Sequence, residues 1–129
     1  MKKVHKERIQ NWVKALRSGE YRQCKEQLKK NNSYCCLGVA CDITGMTFED
    51  DYPGLPESVM KYYNFKNHFV PLKIPASVMN SYRARRIKQK KSWKVDANRD
   101  AAQLNDIHGF NFNEIADCIE YTYLKKGKA

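Results

Sequence analysis

Residues 33–45 read SYCCLGVACDITG, which is the least polar run in a polar chain. The run holds three of the five cysteines, and its one charged residue is Asp42. It predicts a short buried strand over 34–36 that leads directly into a buried helix, which Gly45 ends. Gly38 lies inside that helix, where the missing Cβ lets another backbone approach closely. We expect the rest of the chain to fold over this strand–helix unit.

The residues before this run predict a β-hairpin. Side chains alternate in part between two faces over 21–26. Asn31-Asn32 suits a turn, because asparagine tolerates left-handed dihedral angles. We therefore expect an antiparallel hairpin in which 34–36 is the return strand, with a helix over 21–29 as the alternative.

Helical periodicity and capping signals predict the remaining elements. The clearest is a helix capped by Asn111, with Glu114 three residues later in a capping box and an apolar stripe that ends at Tyr123. The other predicted elements are helices over 4–18, 37–45, 55–63 and 96–105, and an edge strand over 72–74. Together they predict a single α+β domain over 1–129, mostly α, with four or five helices packed around a short β-hairpin.

The charge balance indicates the class of partner. The formal net charge is +10, from 24 Lys and Arg against 14 Asp and Glu. A charge of this size favours polyanions: nucleic acid, a nucleotide or an anionic surface. A basic domain without such a partner is the alternative, since net charge also serves solubility.

The cysteines favour a reducing compartment. Their number, five, is odd, and two of them are adjacent. The first eight residues lack the apolar core of a signal peptide, and no apolar run approaches the roughly 20 residues of a membrane span. We expect reduced, mostly buried thiols in the cytoplasm and no membrane association.

A basic insert over 77–95 contains seven cations and no acidic residue. Arg83, Arg86 and Lys90 are spaced so that one helical face would carry all three. Such a stripe neutralises phosphates, and Tyr82 and Trp93 can stack on unpaired bases. A solvated helix or loop without a ligand is the alternative. The candidate nucleic-acid-binding residues are Arg83, Arg85, Arg86, Lys88, Lys90, Lys91, Trp93 and Lys94.

Other sites are less well supported by the sequence. Cys35 or Cys36 lies at a strand–helix junction, where a helix N-terminus can lower a thiol pKa, but neither His68 nor His108 belongs to a catalytic motif. The cysteines also lack the Cys-x-x-Cys spacing of zinc sites. The stretch over 112–120 resembles the first helix of a helix-turn-helix, yet too few residues follow it for a recognition helix. The sequence therefore favours a protein without catalysis, metal or cofactor.

Three motifs together resemble a family of small, mostly uncharacterised proteins encoded by bacteriophages and prophages. They are WVKALRSGEYRQ at 12–23, YCCLGVACD at 34–42, and LND at 104–106 followed by FNEIADCI at 112–119. The resemblance implies a phage origin and an accessory role toward host machinery or host defence, with no activity to transfer. The insert over 77–95 is longer and more basic than this family leads us to expect.

A site shared by this family would use the polar residues of the motifs. A structural role for them is the alternative: Arg17 would form an ion pair with Asp42 or Asp106, and Asn105 would cap a helix. The candidate ligand-site residues are Arg17, Tyr21, Gln23, Asp42, Asn105 and Asp106.

The favoured function is that of a non-enzymatic phage accessory protein in the host cytoplasm that binds an anionic partner, with nucleic acid as the first choice. Two alternatives remain open. The protein sequesters a nucleotide second messenger of host defence, or it inhibits a host enzyme through a protein–protein contact.

Overall fold

Helices make up most of the regular structure in residues 1–124, the part of the chain that the computed structural model describes. The six α-helices and two small sheets of this part confirm the predicted α+β class, mostly α, around a short hairpin. None of the helices described there is long and apolar enough to cross a membrane. In chain order the elements are α1 (Lys3–Arg17), β1 (Arg22–Gln23), β2 (Lys29–Lys30), β3 (Ser33–Tyr34), α2 (Cys36–Asp42), α3 (Glu57–Tyr63), β4 (Pro71–Lys73), α4 (Ala76–Lys88), β5 (Asn98–Asp100), α5 (Ala101–Asp106), α6 (Phe112–Ile119) and a π-helical turn (Glu120–Leu124).

Helix α2 lies within the hydrophobic core. Every residue from Cys36 to Cys41 is buried. Two aromatic side chains from other helices bond to its backbone: Trp12 Nε1 donates to the carbonyl of Cys36 at 2.9 Å, and the Tyr63 hydroxyl donates to that of Ala40 at 2.6 Å. Buried polar groups on α1 and α3 therefore find their partners on α2, as expected for a helix that the others cover.

The strand before α2 is shorter than predicted. β3 covers only Ser33–Tyr34, and Cys35 is the N-cap residue of α2. The Sγ atom of Cys35 accepts a hydrogen bond from the backbone N–H of Gly38 at 3.3 Å. Since a cap residue stands outside the helix and the next residue within it, Cys36 belongs to α2 rather than to the strand.

The three-stranded sheet has the order β1-β3-β2. β2 and β3 form the predicted antiparallel hairpin, and Asn31 in its turn has a left-handed φ of 57°. β1 pairs with β3 in parallel, so the antiparallel pairing expected for this segment is wrong, and so is the alternative helix over 21–29. The chain reverses between β1 and β2, around Glu26 with a φ of 74°. The reversal leaves β1 running in the same direction as β3.

The first and last predicted helices are confirmed. Ile9, Trp12 and Leu16 form the buried face of α1, as their spacing predicts. In α6, the Asn111 side chain accepts from the backbone N–H of Glu114, and the Glu114 side chain accepts from the N–H of Asn111. This reciprocal capping box satisfies two backbone donors at the start of the helix.

The basic insert departs from its prediction. α4 ends at Lys88, and Lys90 adopts a left-handed φ of 58°. Lys90 therefore leaves the helical path, and the expected stripe of Arg83, Arg86 and Lys90 along one helical face is wrong. The backbone N–H of Lys91 donates to the carbonyl of Arg86 at 2.9 Å. This bond is typical of helices that end in a residue with a left-handed φ.

The helix predicted over 96–105 begins later than expected. Residues 98–100 form β5, which pairs antiparallel with β4, and this pairing confirms the predicted strand near 72–74. Asp100 then caps α5 by accepting from the N–H of Gln103 at 2.8 Å. The strand pairing could not be seen from local periodicity, because the partner strand lies more than twenty residues earlier.

Gly38 marks the closest backbone approach to α2. A Cβ atom placed on Gly38 would lie 1.8 Å from the carbonyl oxygen of Leu28. That same oxygen accepts a hydrogen bond from the N–H of Cys35 at 3.1 Å. The contact confirms the close approach predicted for this glycine and joins α2 to the chain just before β2.

We expect Gly38→Ala to lower the free energy of unfolding by about 3 kcal/mol, because a backbone carbonyl cannot move aside as a side-chain tip can. The cost of the clash should outweigh the ~1 kcal/mol of stability that a helix gains when alanine replaces glycine. Urea unfolding followed by circular dichroism measures it. Gly19→Ala is the control: its Cβ meets nothing within 4 Å, so only its left-handed φ costs about 1 kcal/mol. Equal stability of the two variants would contradict the prediction.

Candidate nucleic-acid interface

Asn105 joins three parts of the fold through its side chain, which is fully buried. Its Oδ1 accepts from Gln23 Nε2 at 2.8 Å and from the backbone N–H of Cys36 at 3.2 Å. Its Nδ2 donates to the carbonyl of Cys24 and to Asp106 Oδ1, both at 2.8 Å. These four bonds use the full capacity of an amide group. Asn105 thus supports the N-terminus of α2 from outside that helix.

Tyr21 and Asp42 form a second, separate group at the protein surface. The Tyr21 hydroxyl donates to Asp42 Oδ2 at 2.6 Å, and the Tyr21 ring packs edge-on against that of Tyr34 at 5.1 Å between centroids. Partial burial, followed by the bond to the Asp42 carboxylate, raises the pKa of Tyr21. Both effects keep the phenol protonated as a donor to Asp42.

Arg17 forms the third group. Its guanidinium pairs with Asp117, on α6, and with Glu120 at 3.3 Å. The ion pair expected with Asp42 or Asp106 is therefore wrong, and Arg17 instead joins the end of α1 to the end of α6. The structure brings Gln23, Asn105 and Asp106 together and Tyr21 together with Asp42, and it leaves Arg17 in a group of its own.

The thiols at the strand–helix junction lie in an environment that opposes ionisation. All five cysteines are free, and four are buried. Burial raises the pKa of Cys35 to about 12 and that of Cys36 well above its usual value. The bond from Gly38 N–H lowers the Cys35 pKa, but burial is the larger effect. Over residues 1–124, no group of three or more His, Cys, Asp or Glu is placed to hold a metal ion.

Arg85 turns toward the core side of α4. Its Nη2 atom lies 2.7 Å from Glu114 Oε1 and 3.3 Å from the carbonyl of Gly109. Burial raises the pKa of Glu114, while its bond to the Asn111 N–H and the charge of Arg85 lower it. Of the predicted nucleic-acid-binding residues, Arg85 therefore has its charge paired within the fold.

Arg83 and Arg86 hold the chain after α4 against that helix. The Arg83 guanidinium lies 4.4 Å from the centroid of the Trp93 indole, within cation–π range. Arg86 Nε donates to the carbonyl of Ser92 at 2.7 Å. Tyr82 is 1% exposed and its hydroxyl bonds to the carbonyl of His108, so the expected stacking of Tyr82 on a base is wrong.

A surface groove opens beside the Arg83–Trp93 pair. It has a volume of about 310 Å³, and we call it the basic groove. Three cations line it against one carboxylate, Asp96, which pairs with Arg99 at 3.1 Å. Its lining residues are Arg83, Trp93, Lys94, Val95, Asp96 and Arg99.

The sequence predicted Arg83, Trp93 and Lys94 as members of one site, and the structure places them together. Arg99 was missed, because its segment was assigned to a helix; the pairing of β5 with β4 brings it to the groove. Of the five remaining predicted cations, Arg85 and Arg86 are partly buried, and three are exposed between α4 and Trp93 or at the end of α4: Lys88, Lys90 and Lys91.

We expect Asn105→Ala to destabilise the protein by about 2–4 kcal/mol, since it leaves several buried polar groups without partners at once. Chemical denaturation measures the change. Asn113→Ala removes an equivalent side chain from an exposed position of α6, and we expect it to change stability by less than about 0.5 kcal/mol. A neutral Asn105→Ala variant would show that the amide does not support the fold.

We also expect Cys35, Cys36, Cys41 and Cys118 to resist alkylation in the native protein, because burial raises each thiol pKa and blocks access. Iodoacetamide labelling at pH 8, read by peptide mass spectrometry, tests this. All five thiols should react in urea, which is the positive control. Rapid native labelling of Cys35 or Cys36 would instead identify a reactive nucleophile.

Comparisons with known proteins show which family this chain belongs to. No curated protein and no solved structure matches the chain significantly. A family model described as a domain of unknown function, DUF8296, matches residues 1–123. Because this match runs through α1 to α6 and includes the basic groove, the protein belongs to the DUF8296 family.

Proposed function

We propose that this protein is a non-catalytic accessory protein of a bacteriophage that binds nucleic acid in the host cytoplasm. The observation that carries the proposal is the basic groove, where Arg83, Lys94 and Arg99 lie around the partly buried indole of Trp93 and meet a single carboxylate. Cations beside an accessible aromatic ring are the combination that binds phosphates and bases together. The phage origin rests on the three sequence motifs.

The charge around the groove supports a polyanion over a neutral partner. Lys88, Lys90 and Lys91 add three exposed cations directly before the groove in sequence. The net charge of +10 adds a long-range attraction that raises the rate of encounter with a polyanion. Binding of this kind releases counterions from the nucleic acid and weakens steeply as salt rises.

The other polar groups of the motifs bond within the fold, which favours a protein without catalysis. Asn105 bonds to Gln23 and to Asp106, and Tyr21 bonds to Asp42. The buried thiols carry raised pKa values, which disfavour the thiolate that a nucleophile needs. These groups therefore support the fold. In the groove, Arg83 and Lys94 form no ion pair among the described residues, and Arg99 shares its charge with the exposed carboxylate of Asp96.

A nucleotide signal is the second candidate ligand. The volume of about 310 Å³ lies at the lower end of the range for small-molecule sites. The same cations and indole would contact the phosphate and base of one nucleotide. Competition separates the two candidates, because a mononucleotide ligand would displace an oligonucleotide at micromolar concentration.

We expect replacement of Lys88, Lys90 and Lys91 by Ala to weaken nucleic-acid binding at least tenfold near 0.1 M salt. The slope of log Kd against log salt should fall by about 2–3, since each lost phosphate contact removes roughly 0.7–0.9. Fluorescence anisotropy with a labelled oligonucleotide over a salt series measures both quantities.

The matched control replaces Lys3, Lys6 and Lys14 by Ala, three exposed lysines of α1, with the same loss of charge. We expect this control to weaken binding less than threefold. Equal weakening by both triple variants would show that net charge alone drives binding. No measurable binding by the unmodified protein would overturn the proposed function.

A further inference from the structure

We infer that the basic groove selects single-stranded over double-stranded nucleic acid, with one unpaired base stacked on the Arg83–Trp93 pair and the adjacent phosphates held by Lys94 and Arg99. This inference rests on the proposed function and adds the form of nucleic acid that the groove takes. Three features of the structure support it.

The first feature is the stacked pair itself. The Arg83 guanidinium lies 4.4 Å from the indole centroid of Trp93, and both groups line the groove. Aromatic rings such as indole and guanidinium planes are protein surfaces on which unpaired bases stack. In a duplex these base faces are covered by neighbouring base pairs, so a duplex gains no stacking energy from Arg83 and Trp93.

The second feature is the surface of α4, which is a poor recognition helix for a duplex. Arg85 turns inward to Glu114. Ile87, at 55% exposure, lies on the outward side, and Ala84 is exposed beside it. A helix that reads the major groove needs polar side chains reaching base edges from such positions, and α4 ends after one further residue, Lys88.

The third feature is where the remaining cations lie. Lys90, Lys91 and Lys94 follow α4 on a segment without helix or strand that leads to β5. The Arg86–Ser92 and Arg83–Trp93 contacts hold this segment against α4. Cations spaced along an irregular segment, next to one stacking position, can follow the flexible backbone of a single strand.

Tryptophan fluorescence gives a direct test. The chain has two tryptophans. Trp12 is fully buried and bonded to the carbonyl of Cys36, so a change in emission on binding reports on Trp93. The probes are a 12-nucleotide oligothymidine, a 12-base-pair duplex, and an abasic oligonucleotide of the same length and charge as the first, all at one salt concentration.

We expect the single strand to quench Trp93 and to bind roughly 5- to 150-fold more tightly than the abasic strand, which is the range for one stacked base. The duplex should bind more weakly than the single strand and leave the emission nearly unchanged. Trp93→Leu should lose the preference for the single strand over the abasic strand while keeping the salt dependence. Trp93→Phe should keep part of the preference.

The binding results distinguish a failure of single-strand selection from a failure of nucleic-acid binding itself. Binding of none of the three probes would overturn both. A duplex that binds as tightly as the single strand, or an abasic strand that does, would overturn the inference and leave nucleic-acid binding intact. A single-strand preference that survives in a folded Trp93→Leu protein, checked by circular dichroism, would also overturn it.

Discussion

The contact between Gly38 and the carbonyl of Leu28 is the constraint on which the rest of the fold depends. It places α2 against the main chain with no side chain between them. The Leu28 carbonyl keeps a hydrogen-bond partner there, the N–H of Cys35, so this carbonyl is satisfied although the helix lies against it. The other sides of α2 are covered as well, since the helix is buried from Cys36 to Cys41 and only its last residue, Asp42, is exposed.

The candidate site depends on α2 through a short series of contacts. Asn105 bonds to the first N–H of α2 and thereby fixes α5 beside it. Asp100 caps α5 and ends β5. The pairing of β5 with β4 then sets the position of Arg99 at the basic groove. Asn105, one of the polar residues that the motifs offered as a ligand site, therefore also helps to hold the elements that carry the groove.

Local signals in the sequence predicted the parts of the structure that local forces determine. Periodicity predicted α1, the spacing of Asn111 and Glu114 predicted the capping box of α6, and the missing side chain of Gly38 predicted the close approach to α2. The parallel pairing of β1 and the strand β5 were missed because their partners are distant in sequence. Likewise Arg85 was taken as a free cation, since nothing near it in sequence indicates Glu114, twenty-nine residues later.

The Arg83–Trp93 contact does not prevent Arg83 from binding a phosphate. A guanidinium that stacks on an aromatic ring uses its flat face and keeps its N–H groups, which lie in its plane, for hydrogen bonds. A lysine in this position could contact either the ring or the phosphate but not both, because its ammonium is a single point of charge. Stacking also desolvates part of the guanidinium before a ligand arrives and restricts its rotamers, which lowers the entropy cost of holding a phosphate. The arginine at position 83 therefore suits a groove in which a base and a phosphate bind side by side.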